Sequence, residues 1–236
     1  MTFDDFVVTC EHGGNQIPAA YRAAFAGGDA QAALASHRGW DPGALEFARE
    51  VAAALKAPLF FSETSRLLID LNRSLGHPRS FSEWSRGFDA TTKQQIIDAH
   101  FTPHRTAVTN AIAERTEGRR RVLHLAIHSF TPIMDGVVRN AELGLLYDPA
   151  RPAERGLCAA WKKSFVSLAP SSPARLNYPY KGTSDGLTPV LRRQFSDAQY
   201  AGIEVEFNHG VYYSDRSRWG RLKADTLAAL QATLSP

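Results

Sequence analysis

Two histidines far apart in the chain, His12 and His128, each lie at the end of a short apolar run, and imidazole nitrogens are common ligands of divalent metals. Glu206, a carboxylate on a third such run, completes the parts of a catalytic zinc centre. A centre of this kind takes three nitrogen or oxygen ligands from the protein. It leaves one position for water and lowers that water's pKa to about 7, so that the water attacks a carbonyl. The competing reading is a surface or satisfied core histidine, of which a chain with eight histidines has room for several. His124 shares a strand face with His128 and suits a packed role or hydrogen-bonded support of a ligand. Glu204 and Glu206 fall on one face by the period of two. Their mutual repulsion would raise one carboxyl, as a general base requires, unless Glu204 pairs with a basic residue.

These residues need elements to place them. Phe6 to Cys10, Val122 to Ile127 and Gly202 to Phe207 are nearly continuous apolar runs, the pattern of strands buried on both faces of a parallel sheet. Pro58 to Phe61, Arg66 to Leu71 and Leu143 to Leu146 are further strand candidates. Helical spacing marks the stretch after Asp41-Pro42, Thr92 to about Glu117 with Pro103 kinking or dividing it, Ala153 to Leu168, and Trp219 to Leu234. Gly76 to Phe88 and the region around Asn177 to Gly182 read as loops, and Gly13-Gly14 allows a tight, unusual backbone course. Strands alternating with helices imply a single α/β domain over residues 1–236, a mostly parallel mixed sheet with helices on both faces. In such a sheet ligands bind beyond the carboxyl ends of the strands, where Glu11-His12, His128-Ser129, Glu206-Phe207-Asn208-His209 and Asp70-Leu71-Asn72-Arg73 fall.

Five ordered segments carry a resemblance. Thr9-Cys10-Glu11-His12-Gly13-Gly14-Asn15-Gln16-Ile17-Pro18, Gly39-Trp40-Asp41-Pro42-Gly43-Ala44, Ser65 to Arg73, His128-Ser129-Phe130-Thr131-Pro132 and Glu206-Phe207-Asn208 resemble the successive motifs of the N-formylglutamate amidohydrolase family, from about residue 6 to residue 213. That family is similar in fold to the zinc carboxypeptidases and the aspartoacylase and succinylglutamate desuccinylase group. The resemblance implies zinc or another divalent metal on His12 and His128, with Glu206 activating the water. It also implies Asp70-Leu71-Asn72-Arg73 as an Asp-x-Asn-Arg motif that holds a substrate carboxylate, with Asn72 and Arg73 in the binding set. Tyr180-Lys181-Gly182 looks like a family loop near the substrate, which brings in Lys181, although turn chemistry explains its composition equally. One departure matters. The residue three after His12 is Asn15, not the Glu of a His-x-x-Glu pair, so a third ligand must come from elsewhere. Asp41 is the candidate, with a helix N-cap as its competing role, and Glu11 is the next choice. Arg139 and Arg66 are further guanidinium candidates, one of which would stabilise an oxyanion.

Composition removes several alternatives. Twenty-seven Lys and Arg against twenty-four Asp and Glu leave a surplus of three, which does not argue for nucleic acid. The run Gly118-Arg119-Arg120-Arg121 reads as a solvated helix end. No apolar run approaches the roughly 18 residues of a membrane span, and the N-terminus lacks a secretion signal, so a soluble, cytoplasmic protein is expected. Cys10 and Cys158 read as buried hydrophobes, with Cys10 paired to His12 as a nucleophile the rival enzyme reading. The expected reaction is metal-dependent hydrolysis of the amide bond of a small anionic N-acyl amino acid. Its rivals are a carboxypeptidase or other amidase, and a binding protein without activity.

Overall fold

The apolar runs become the middle of one sheet because each is flanked by strands on both sides and by helices above and below. The computed structural model describes residues 2–235. In chain order its elements begin with β1 (Asp5–Cys10), α1 (Gly28–Ala35), α2 (Ala44–Leu55), β2 (Leu59–Phe61), α3 (Ala90–Ile96) and α4 (Thr102–Arg115). They continue with β3 (Val122–Phe130), a hairpin of β4 (Ile133–Met134) and β5 (Val137–Val138), β6 (Leu143–Leu146), α5 (Pro152–Leu168), β7 (Ala174–Leu176), α6 (Leu187–Gln194), β8 (Tyr200–Asn208), α7 (His209–Ser214) and α8 (Arg216–Leu234). The main sheet has the order β2-β1-β3-β8-β6-β7. Its pairs are parallel except β6 with β8, which are antiparallel, so the sheet is mixed as expected.

The period of two sorts the central strands. Val8, Cys10, Leu123, Leu125, Ile127, Val205 and Phe207 pack with Phe47 of α2, Trp161 of α5 and Trp219 of α8. Val7, Val122 and Tyr200 turn the other way, toward Val108 and Ile112 of α4 and Leu187 and Leu191 of α6. A side chain of this size contributes roughly 1.5–3 kcal/mol when fully buried. By the same alternation Glu11, His124, His128, Glu204 and Glu206 belong to the α4/α6 face, and β3 against β8 places His128 opposite Glu206.

Two expectations change, and the division of the long helical stretch near Pro103 is as expected. Arg66 to Leu71 is not a strand but a series of turns, held by Leu68 N–H to the Ser65 carbonyl and Asp70 N–H to the Ser80 carbonyl. Its apolar side chains fill a second core with Ile17, Phe25, Ile96 and Phe101 instead of lining a sheet. The long helical stretch divides, and a π-helical turn over Ile97–Phe101 links α3 to α4. It falls just before Pro103, which has no N–H to give the carbonyl four residues earlier. Gly14 needs no unusual dihedral; a Cβ there would lie 2.6 Å from the Glu63 carbonyl oxygen, so its role is close approach of two chain segments. Among the described residues no helix is long and apolar enough to cross a membrane. In the arginine run, Arg120 pairs with Asp5 and Arg121 with Asp197.

Candidate metal centre and its cavity

His12 leaves the end of β1 and His128 lies near the end of β3, and their ring centroids are 5.1 Å apart. His12 Nδ1 is 3.2 Å and His128 Nδ1 2.9 Å from the same atom, Asp41 Oδ2. All three side chains are buried, and one potential ligand atom from each lies within 4.8 Å of the others, so the group could hold a metal ion. The outer nitrogens support this use. His12 Nε2 is 2.7 Å from Asp70 Oδ1, and His128 Nε2 is 3.2 Å from Glu11 Oε2, an ion-pair contact without good hydrogen-bond angles. Both Nδ1 atoms thus face Asp41 while each Nε2 meets a second carboxylate, the outer-partner arrangement common among metal-bound histidines. The donor set therefore fits a divalent cation.

Asp41 resolves its two readings in favour of this cluster. The residue preceding α2 is Gly43, in the left-handed region at φ 81°, and no side chain caps the helix. Asp41 is drawn to the strand end by its own backbone, whose N–H donates to the His12 carbonyl at 2.9 Å, while Ser129 N–H donates to its Oδ2 at 3.3 Å. Glu11 is not in the inward-facing group; alternation sends it behind His128. Arg66 donates to Asp70 Oδ2 at 2.7 Å and lies 3.4 Å from Asp41 Oδ1, so its guanidinium braces the carboxylates of the cluster.

Electrostatics follow from this crowding. Burial would raise Asp41, but His12, His128 and Arg66 hold its carboxyl well below the usual range. Burial would lower His128, yet its contacts with Asp41 and Glu11 hold it well above the ordinary imidazole value. Glu206 goes the opposite way from Asp41. Burial, then the Asp41 and Glu204 charges, push its carboxyl up to about 8, against the pull of His128 and Arg66. Its Oε2 is buried and has no hydrogen-bond partner. Among the described residues Glu204 pairs with no base; it accepts from Thr188 Oγ1 at 2.5 Å.

A cavity of about 550 Å³ opens over these groups. Arg73 lines it and donates to the Asp185 carbonyl at 2.8 Å, which leaves the rest of its fork available. Asn72 spans two elements: Oδ1 accepts from Leu187 N–H at 2.7 Å and Nδ2 lies 3.3 Å from His128 Nε2. Lys181 is an exposed side chain of the rim, and the 76–88 loop supplies Phe81, Glu83 and Arg86 to the wall, tied across by Arg38 to Glu83. Arg139 does not line the cavity; it donates to Tyr180 Oη at 3.0 Å and stacks on that ring at 5.0 Å. Tyr180, which the sequence placed only in a loop near the substrate, does line it. The signal was Gly144: a Cβ there would stand 2.0 Å from the Tyr178 carbonyl oxygen, so only glycine lets this loop cross beside Glu206. Cys10 is wholly buried in the core on the other face of the sheet, away from the cavity, and burial, then Glu11 and Asp41, push its thiol above the ordinary value. His124 stays inside the sheet between the Thr9 and Tyr200 hydroxyls.

A mixed α/β sheet carrying two imidazoles and a carboxylate at the carboxyl ends of its strands, with a second carboxylate beside them, has the architecture of a hydrolase. The sequence pattern of the N-formylglutamate amidohydrolase family matches residues 4–213, and the chain belongs to that family. The crystal structure of the gene product Atu2144 from Agrobacterium tumefaciens is similar, with 26% identity and a TM-score of 0.79 over 98% of this chain and 90% of that one. The structure of N-formylglutamate amidohydrolase from Ralstonia eutropha JMP134 shares the fold, with 17% identity and a TM-score of 0.70 over 99% of this chain and 94% of that one. Among curated proteins none matches significantly in sequence.

Proposed function

We propose that this protein is a metal-dependent amidohydrolase that cleaves the amide bond of a small anionic N-acyl amino acid such as N-formylglutamate, in the cytoplasm. The observation that carries this reading is the convergence of His12 Nδ1 and His128 Nδ1 on Asp41 Oδ2, with the unpartnered Glu206 carboxylate lining the same cavity. His12, Asp41 and His128 would hold zinc or another divalent ion, which when bound polarises a carbonyl and acidifies water. Glu206 Oε2 takes the proton of the attacking water and returns it to the leaving amine. A base raised by burial keeps affinity for that proton until the amine needs it. Arg73 meets the substrate carboxylate with its free guanidinium nitrogens, as a planar fork suits a planar anion. Asn72 keeps Arg73 in register with His128, Lys181 adds charge at the rim, and Arg139 acts through Tyr180.

The test joins metal and rate. Protein purified without chelator should carry about one divalent metal per chain and hydrolyse N-formyl amino acids, with N-acetyl and N-succinyl analogues as comparison. Glu206→Gln should keep the metal and lose roughly 10²–10⁴ in kcat, the span of general acid–base catalysis. A variant within tenfold of the native kcat would refute the role of Glu206.

A further inference from the structure

The catalytic cluster uses the ends of β1, β3 and β8, yet two half-buried polar residues reach it from a helix with no part in the mechanism above. His104 and Arg105 are the third and fourth residues of α4. His104 is nearly buried, and its Nε2 lies 3.4 Å from Glu11 Oε1, while the other oxygen of that carboxylate faces His128 Nε2 at 3.2 Å. Arg105 packs its guanidinium 5.1 Å from the Phe101 ring and donates from Nη2 to the Arg73 carbonyl at 3.3 Å. Its Nη1 is buried without a partner, so the side chain spends burial on that single contact.

We propose that the first turn of α4 is a positioning element serving both halves of the site: His104 fixes Glu11, and through it His128, while Arg105 fixes the backbone of Arg73. This rests on the metal reading above. The geometry is a line of contacts, His104–Glu11–His128–Asp41, in which each carboxylate lies between two partners. Partners of this outer kind set ligand orientation and basicity. Glu11 is wholly buried, and the two imidazoles are the polar side chains its two oxygens meet. A π-helical turn over Ile97–Phe101 immediately precedes this part of α4, and turns of that kind are frequent at functional sites.

The two arms predict opposite effects. His104→Leu should weaken zinc binding about tenfold, the lower end for outer partners of metal ligands, while KM for N-formylglutamate stays unmoved. Arg105→Met should raise KM several-fold, to about the cost of one hydrogen bond, with zinc binding unmoved. Zinc affinity is read by competition with a chelating dye, and the thermal midpoint of each metal-loaded variant controls for general loosening. His104→Gln keeps a donor for Glu11 and should recover most of the lost affinity. If His104→Leu does not fold, a cycle of His104→Gln, Glu11→Gln and the double variant replaces it: non-additive zinc affinities support the line, and additive ones overturn it. Native zinc affinity in His104→Leu, or a native KM in Arg105→Met, overturns the corresponding arm. A wild-type protein that binds no zinc overturns the metal reading itself, and this proposal with it.

Discussion

His124 and His128 lie four residues apart on β3, on one face of the sheet, and both are buried. Burial lowers His124 to about 4, whereas His128 is held well above the ordinary range. The difference lies in what faces them. His124 sits mid-strand, 2.9 Å from Thr9 Oγ and 2.7 Å from Tyr200 Oη, two neutral hydroxyls that satisfy its nitrogens without rewarding a charge. His128 sits at the carboxyl edge, where chain leaving the strands brings Asp41 and Glu11 against it. One strand therefore carries an imidazole set among neutral hydroxyls and another set among carboxylates, and position along the strand separates them: a sheet interior offers little besides neighbouring strands, and its edge admits carboxylates from loops.

The comparison breaks most sharply at the ligands. His128→Gln should abolish zinc uptake and turnover, whereas His124→Gln should leave both intact; equilibrium dialysis with zinc distinguishes them, and equal losses would erase the contrast. Glu11→Gln tests whether carboxylate surroundings are the cause, and a fall in zinc affinity of roughly 10- to 100-fold is expected, with no change requiring another explanation for His128. The smallest effect concerns pH. The unfolded chain takes up a proton on His124 near pH 6.5 and the folded protein only near 4, so the unfolded state binds more protons between these values. Stability from this residue is complete above that window and falls as pH drops through it, by about 3 kcal/mol in all. His124→Gln removes this contribution. Denaturant unfolding from about pH 7 to about pH 4 should therefore show the wild type losing more stability than the variant, and parallel curves would refute the lowered value.

Much of the site's raw material is legible in sequence. The apolar runs ending in Glu11-His12, His128 and Glu206 are the observed strands β1, β3 and β8, because burial on both faces leaves a continuous pattern that few other elements share. Period two also places Glu11 on the face of His128. Local rules fail where two roles share one signature. Asp before Pro reads as a cap, and only the backbone contact between Asp41 and the end of β1 decides otherwise. Arg66 to Leu71 reads as a strand because it is apolar, but its backbone bonds within the turn and to Gly39 and Ser80 instead of to a strand. Helix α1 left a weak periodic signal, and the hairpin of β4 and β5 was marked only by Asp135-Gly136, both at positive φ.

The sequence by itself determined a mixed α/β sheet, the histidine pair and the glutamate at its carboxyl edge, and membership of an amidohydrolase family, since these rest on local burial pattern and on motifs in order. Tertiary structure alone decided that Asp41 is the third inward-facing group, that Arg66 braces it, that Tyr180 enters the cavity, and that α4 reaches the cluster from behind. Each of these depends on which atoms meet across 25 residues or more of chain, and no residue's neighbours in sequence carry that information.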